Sequence, residues 1–144
     1  MKKDLLSLLD LDQGDFESIL DRASFYQKHK DKKKNVHLLE GKTLALIFEK
    51  ASTRTKVSFT VAAHQLGAHV VELDEKGSQI GRGETYADTA QVLAGYVDII
   101  ACRTYAQNNL EQMGQAVSIP VINALSDLYH PCQVLADLLT IKTF

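Results

Sequence analysis

The sequence predicts an α/β fold: a four-stranded parallel sheet with helices on both faces, a three-layer αβα arrangement, preceded by N-terminal helices. From about residue 40 onwards, short apolar runs rich in valine and isoleucine alternate with longer amphipathic runs. That alternation is typical of βαβ units, whose strands are buried on both faces. The chain of 144 residues, 45% hydrophobic and 24% charged, is long enough for one domain with a sizeable core.

Residues 4–30 are predicted to be helical, because apolar residues recur there at helical spacing. A run of lysines follows between residues 28 and 34. It is interpreted as a solvated loop, with an anion or nucleic-acid patch as the alternative. The apolar positions of the helical region are Leu5, Leu8, Leu9, Phe16, Ile19, Leu20, Ala23 and Tyr26.

The remaining elements follow in strict alternation. Each apolar run is a predicted strand, and each amphipathic run is a predicted helix. Such sheets have right-handed crossovers and bind ligands at the carboxyl ends of their strands. The predicted strands are 43–48, 68–73, 97–102 and 119–124, and the predicted helices are 54–66, 84–95, 107–117 and 131–141.

Bulk composition argues against several classes of function. A net charge of −2 gives no global attraction to nucleic acid or to an acidic membrane surface. The apolar runs are far shorter than a membrane span, and the N-terminus lacks the apolar core of a signal peptide. The two cysteines, Cys102 and Cys132, form no C-x-x-C pair, which fits a reducing cytoplasm and neither a disulfide framework nor a zinc site.

The first predicted strand is followed directly by Ser52, Thr53, Arg54 and Thr55. A helix N-terminus offers unpaired backbone N–H groups and a partial positive charge. Hydroxyls and a guanidinium added at that point make a socket for a phosphate group. The alternative is a plain N-cap, in which Ser52 or Thr53 caps the helix and Arg54 points into water.

Polar residues also follow the other three predicted strands. The glycine-rich loop 77–84 carries Gln79 and Arg82, and Arg103 follows the third strand. His130 precedes Pro131, which suits the first position of a helix, and Gln133 lies in that helix's first turn. Taken singly, the glycine-rich loop is compatible with a plain surface loop, Arg103 with a surface arginine, and His130 with a helix cap or a surface group.

Together these residues form one rim of the predicted sheet that can bind an anion and donate to a second polar atom. The rim has no evident activated nucleophile, and Cys132 lacks an activating base. It also lacks a cluster of carboxylate, histidine or cysteine side chains suited to a metal. The predicted chemistry is therefore transfer to an external nucleophile by orientation and charge stabilisation, with no cofactor.

Four stretches resemble, in order, the signatures of the aspartate/ornithine carbamoyltransferase family. They are FEKASTRTKVSF, GSQIGRGET, DTAQVLAGYVDIIACR and PVINALSDLYHPCQVLADLLTI. The resemblance covers about residues 40–144, and the preceding helices fit the family's N-terminal region. The S-T-R-T and H-P-x-Q motifs in this order and spacing are highly specific, so they outweigh the simpler interpretations given above.

The resemblance implies a role for each motif. Ser52, Thr53, Arg54 and Thr55 are similar to the residues that hold the phosphate of carbamoyl phosphate. Thr55, Arg103 and His130 are similar to the donors to its carbonyl oxygen. The turn of His130, Pro131, Cys132 and Gln133 is similar to the one near its amino group. The resemblance further implies a homotrimer, in which Gln79 is lent to the phosphate site of a neighbouring subunit.

Within the family, Gln79 and Cys132 are similar to the ornithine branch, and Cys132 is assigned a packing role. Three positions depart from the family's usual residues: Ala51 stands where proline is usual, Lys56 where arginine is usual and Ala124 where glycine is usual. None of them removes a proposed contact, although Ala51 is expected to loosen the loop before Ser52.

The family's second domain, which binds the amino-acid substrate, has no counterpart in this sequence. Residues 1–144 are therefore interpreted as the carbamoyl phosphate-binding domain alone. Ornithine would be bound only through the absent domain, so the chain by itself is expected to be inactive. The alternatives are a sister transferase acting on aspartate, putrescine or an acylated ornithine, and a non-catalytic anion-binding or trimer-forming module.

Overall fold

The computed structural model describes residues 4–29, 37–74 and 79–143. Within these three stretches, four strands and five α-helices alternate after an N-terminal segment, with short 3₁₀ turns at Leu8–Asp10 and Ile80–Arg82. The strands are β1 (Thr43–Phe48), β2 (His69–Asp74), β3 (Ile99–Arg103) and β4 (Val121–Leu125). The helices are α1 (Gln13–Lys28), α2 (Arg54–Gln65), α3 (Tyr86–Ala94), α4 (Gln107–Ala116) and α5 (Pro131–Thr143).

The four strands form one parallel sheet in the order β2-β1-β3-β4. The chain leaves β1 towards β2 on one side, whereas β3 lies on the other side and is followed outward by β4. The boundary between β1 and β3 is therefore the point where the direction of winding reverses, and such a point opens a crevice at the carboxyl ends of the strands.

Strands β1, β3 and β4 are largely buried, as their continuous apolar runs predict. The edge strand β2 is mostly exposed. Alternate residues of β1 belong to two different clusters. Ala45 and Ile47 pack on one face with residues of α3 and α4, including Leu110 and Met113. The other face carries Leu44, Leu46 and Phe48 together with Phe59 and Ala63 of α2. The prediction of helices on both faces is confirmed.

Helix α5 packs against β4, and α1 packs against α5. The strand bounds agree with the predicted ones to within two residues at each end, and every predicted helix after residue 40 is present. Within the described residues, no helix is long and apolar enough to cross a membrane. Most of the lysine run, residues 30–34, lies outside the described residues, so its interpretation as a loop stays a prediction.

The prediction of helix across residues 4–30 is wrong for its first part. Leu5 lies beside β4 instead, where its N–H donates to the Val121 carbonyl at 2.9 Å and its carbonyl accepts from the Asn123 N–H at 2.9 Å. Leu9, expected on an apolar stripe, is 85% exposed.

Local capping explains why the helix starts late. The Asp10 carboxylate accepts from the N–H groups of Leu6 and Ser7, which closes a short 3₁₀ turn. Asp12 then caps α1 in a reciprocal capping box with Asp15. Because these side chains satisfy the backbone outside a helix, they override the apolar spacing.

Candidate functional site

The candidate site lies at the carboxyl ends of β1 and β3, where the winding of the sheet reverses. These strands are hydrogen-bonded neighbours, and Phe48 at the end of β1 pairs with Arg103 at the end of β3. The ladder continues one step further, since the Glu49 N–H donates to the Arg103 carbonyl at 2.9 Å. Residues that are 55 positions apart along the chain are thereby held at a fixed backbone separation.

Helix α2 begins beside this ladder without a side-chain cap. Thr53 occupies the N-cap position but makes no capping hydrogen bond. The Ser52 hydroxyl instead accepts a hydrogen bond from Nη1 of Arg103 at 3.1 Å. The alternative of a plain N-cap formed by Ser52 or Thr53 is therefore wrong. The first N–H groups of α2 remain available, together with the positive end of the helix dipole.

A cavity of about 230 Å³ opens at this point. Two arginines and three hydroxyl residues contribute nearly all of its lining, so its surface is polar and its charge is positive. Such a surface favours a compact anion that can accept several hydrogen bonds. The lining residues are Ala51, Ser52, Thr53, Arg54, Thr55 and Arg103.

Glu49 fixes the position of the β3 end. Its Oε2 accepts hydrogen bonds from the Thr104 hydroxyl and, at 2.9 Å, from the Tyr105 N–H. The Nζ of Lys50 lies 3.6 Å from the centre of the Tyr105 ring, a favourable cation–π geometry. Glu49 and Lys50 thus join the loop before α2 to the loop after β3, a role that the sequence analysis missed.

Tyr86, the first residue of α3, contacts the same Thr104 hydroxyl that Glu49 binds. Its hydroxyl lies 3.3 Å from the Thr104 hydroxyl. Burial and the nearby Glu49 carboxylate raise the pKa of Tyr86 far above its ordinary value. The tyrosine is therefore a neutral hydrogen-bonding neighbour of Thr104 at physiological pH.

His130 lies in the β4–α5 loop, close enough to Arg103 for their charges to interact, but it is not among the residues lining the cavity. Burial, and then the Arg103 guanidinium, lower its pKa, while Asp137 opposes them. The imidazole is therefore neutral near pH 7 and can donate one hydrogen bond to a ligand. Among the described residues, the buried Nδ1 of His130 and Nε of Arg103 have no hydrogen-bond partner. Buried polar atoms of this kind are rare, and they mark places where a ligand can bind.

The other residues of the H-P-C-Q turn form the start of α5. The helix begins at Pro131, as predicted. Gln133 is exposed and donates from Nε2 to Asp137 at 2.9 Å. Burial raises the pKa of the Cys132 thiol to about 11, so this group is protonated and a poor nucleophile at neutral pH. Burial likewise raises the pKa of Cys102.

Gln79 lies directly before the Ile80–Arg82 turn and is not among the residues lining the cavity. Residues 75–78, which include the first two residues of the predicted loop 77–84, lie outside the described residues. Lys56 is held away from the cavity by Glu72 of β2, whose carboxylate lies 2.7 Å from its Nζ.

In the three described stretches of chain, no group of three or more His, Cys, Asp or Glu side chains is placed to hold a metal ion.

The arrangement therefore offers two adjacent sets of donors. The first is the anion cavity at the start of α2. The second comprises Arg103 and His130, whose Nε and Nδ1 atoms have no hydrogen-bond partner among the described residues. Together they suit a small molecule that joins a phosphate to a second polar group, and they provide positive charge where a leaving anion would form.

Comparison with known proteins identifies the family in which these features occur. Residues 3–143 match the family model for the aspartate/ornithine carbamoyltransferase, carbamoyl-P binding domain. The chain is 51% identical to an ornithine carbamoyltransferase of Oceanobacillus iheyensis over 140 residues, which are 97% of this chain and 44% of that protein. An ornithine carbamoyltransferase of Bacillus subtilis is also 51% identical, with 97% and 43% covered.

Solved structures agree with the sequence matches. The ornithine carbamoyltransferase from Pyrococcus furiosus superposes with a TM-score of 0.91 at 48% identity, covering 96% of this chain and 44% of that one. The catalytic subunit of M. jannaschii aspartate transcarbamoylase gives 0.86 at 37% identity, with 96% and 46% covered. The chain thus spans less than half the length of these relatives. By motif, fold and homology, it belongs to the aspartate/ornithine carbamoyltransferase family and corresponds to the carbamoyl phosphate-binding domain.

Proposed function

We propose that this chain is the carbamoyl phosphate-binding half of an ornithine carbamoyltransferase. Such an enzyme transfers the carbamoyl group of carbamoyl phosphate to the side-chain amine of ornithine, giving citrulline and phosphate. The observation that carries the proposal is the cavity at the ends of β1 and β3, where an uncapped helix N-terminus, three hydroxyl residues and two arginines converge.

The phosphate would bind at the start of α2. Arg54 supplies a full positive charge, and the N–H groups of the first turn supply donors that no cap side chain occupies. Ser52, Thr53 and Thr55 add hydroxyls. Since phosphate is also the leaving group, the same contacts stabilise the charge that develops on it during transfer.

The carbonyl oxygen would point towards Thr55, Arg103 and His130. As the amine attacks the carbamoyl carbon, negative charge builds on this oxygen, and preorganised donors lower the barrier. Loss of one such donor typically costs about 2.7–4 kcal/mol. A neutral His130 donates one hydrogen bond without adding a proton, in keeping with its lowered pKa. The turn that contains Gln133 would face the amino group.

Ornithine would bind through a second domain of the kind that the relatives carry beyond the matched region. We place the complete enzyme in the cytoplasm as a homotrimer, with Gln79 of one subunit completing the phosphate site of the next. The position of Gln79 outside the lining of this chain's own cavity is compatible with that arrangement.

Aspartate is the second candidate for the amine acceptor, because the chain is also similar to an aspartate transcarbamoylase subunit. Among the solved structures compared above, identity favours ornithine, at 48% against 37%. A panel of ornithine, aspartate, putrescine and acetylated ornithine, assayed with the full-length protein, distinguishes these acceptors.

Calorimetric titration of carbamoyl phosphate into the chain tests the binding role. We expect weak, saturable binding that Arg54→Ala reduces by about tenfold or more, because one charge-assisted contact is worth about 1.5–3 kcal/mol. The matched control is Arg22→Ala, which removes an exposed arginine on α1 and should leave the affinity unchanged.

Absence of saturable binding by the folded, unmodified chain would contradict the proposed role of this half on its own. Equal losses in the Arg54 and Arg22 variants would contradict the assignment of the phosphate to the start of α2.

A further inference from the structure

A buried cluster of three uncharged side chains lies behind the β4–α5 loop; we call Gln107, Asn123 and Ser126 the buried amide cluster. All three are at least nine-tenths buried. The Ser126 hydroxyl donates to Oε1 of Gln107 at 2.6 Å, and Nδ2 of Asn123 donates to the same oxygen at 3.1 Å. Gln107 therefore serves as the common acceptor of the cluster.

The buried amide cluster fixes the backbone of Tyr129, the residue directly before His130. The Tyr129 N–H donates to the Ser126 hydroxyl at 3.1 Å. The Tyr129 carbonyl accepts from the Ser126 N–H at 3.0 Å and from Nδ2 of Asn123 at 3.2 Å. Both backbone polar groups of Tyr129 are thus held by residues of the cluster, so the direction in which the chain enters His130 is set by it.

The same cluster reaches the loop that follows Arg103. Gln107 is the first residue of α4, and its N–H donates to the Asp127 carboxylate at 2.9 Å. The Asp127 N–H in turn donates to the Tyr105 carbonyl at 2.8 Å. The loops after β3 and β4 are consequently joined to each other behind the site.

We infer that Gln107 and Ser126 are positioning residues that hold the imidazole of His130 at a fixed position relative to Arg103. The inference rests on the proposed function, because it concerns the donor pair assigned to the carbonyl oxygen. Neither side chain lines the anion cavity. Their effect should therefore fall on the carbonyl end of the ligand and spare the phosphate end.

The first variant is Ser126→Ala, which removes the acceptor of the Tyr129 N–H and the donor to Gln107. The second is Gln107→Met, which keeps a similar shape and removes the shared acceptor, in case Ser126→Ala does not fold. The matched control is Ser24→Ala on α1, where the hydroxyl also makes one hydrogen bond, to the Leu20 carbonyl at 2.9 Å, far along the chain from His130.

Two readouts separate positioning from a loss of stability. The first is an NMR titration of the His130 imidazole without ligand, in which the neighbouring charges are Arg103 on β3 and Asp137 on α5. The second is the affinity for carbamoyl phosphate compared with that for inorganic phosphate. We expect the His130 titration to move towards that of an ordinary histidine, and carbamoyl phosphate affinity to fall about tenfold while phosphate affinity changes less than about twofold.

An unchanged His130 titration together with an unchanged affinity ratio in both folded variants would overturn the inference. If the unmodified chain binds no carbamoyl phosphate, the proposed function fails instead. The ligand-free titration then still decides whether the cluster positions His130. A shift of the same size in Ser24→Ala would show a general effect of lost stability and would also overturn it.

Discussion

Arg103 is the residue at which the parts of the candidate site meet. Its carbonyl closes the β1–β3 ladder with Glu49, its Nη1 contacts Ser52, and its charge lowers the pKa of His130. The Nε atom has no partner among the described residues. One side chain therefore links the anion cavity to the donors assigned to the carbonyl oxygen.

His130 gives a prediction for the dependence of stability on pH. Because its pKa in the folded chain lies below its ordinary value, the unfolded chain takes up this proton first as the pH falls through about 6.5. The free energy of unfolding should therefore decrease below that pH. His130→Gln, which cannot take up a proton, should weaken the decrease in denaturation series between about pH 5 and about pH 7.5.

The control for this series is His64→Gln, which replaces an exposed histidine near the end of α2. The same series on this variant shows how much of any change in slope comes from the loss of a histidine as such. If His130→Gln and the unmodified chain have the same slope, the low pKa assigned to His130 is wrong.

Sequence reasoning found the residues at the strand ends but missed those behind them. Ser52–Thr55 and Arg103 could be predicted because parallel strands end at one edge of a sheet. Glu49 and Gln107 carry no such signal, since an acidic residue after a strand or a glutamine at a helix start is common. Asn123 did offer one, as a polar residue within an apolar strand, and such a residue needs partners when buried.

At the scale of elements, the N-terminal segment shows how local hydrogen bonds override apolar spacing. The stretch before α1 has enough leucines for a helix, yet Asp10 and Asp12 bind the backbone in other conformations. After residue 40, period and burial agree, and the bounds of strands and helices could be predicted to within two or three residues. Burial made β1, β3 and β4 easy to recognise, whereas β2, at the edge of the sheet, is mostly exposed.

The capping box at α1 gives a stability prediction. The Asp12 carboxylate accepts from the Asp15 N–H at 2.8 Å. Asp12→Ala should lower the free energy of unfolding by about 0.5–2 kcal/mol, as loss of an N-cap usually does. Asp12→Asn is the matched control, because asparagine caps about as well as aspartate. Urea denaturation checks both, and a loss of equal size in the two variants would assign the effect to charge and not to capping.

At the scale of the whole molecule, the chain corresponds to one part of longer relatives. Its matches cover 44% of the first relative's length, and the family model that matches it is that of the carbamoyl-P binding domain. Under the proposed function, binding of carbamoyl phosphate and formation of citrulline are therefore separate properties that can be measured separately.

We expect the chain alone to form citrulline far more slowly than a full-length relative, because under the proposed function a second domain would orient the amine towards the carbamoyl carbon, and orientation contributes much of the acceleration. Colorimetric detection of citrulline from carbamoyl phosphate and ornithine measures this, with the full-length relative from Bacillus subtilis as the positive control. A rate comparable to that control would contradict the assignment of this chain to one half of the enzyme.

The ladder between β1 and β3 also has a kinetic consequence. Phe48 and Arg103 are paired within the sheet, and Arg103 already contacts Ser52. The anion cavity is therefore formed before an anion binds. Association should then proceed without a slow rearrangement, in a single phase whose observed rate rises linearly with anion concentration. Differences in affinity among variants of the anion cavity would accordingly appear in the dissociation rate of the anion and not in its association rate.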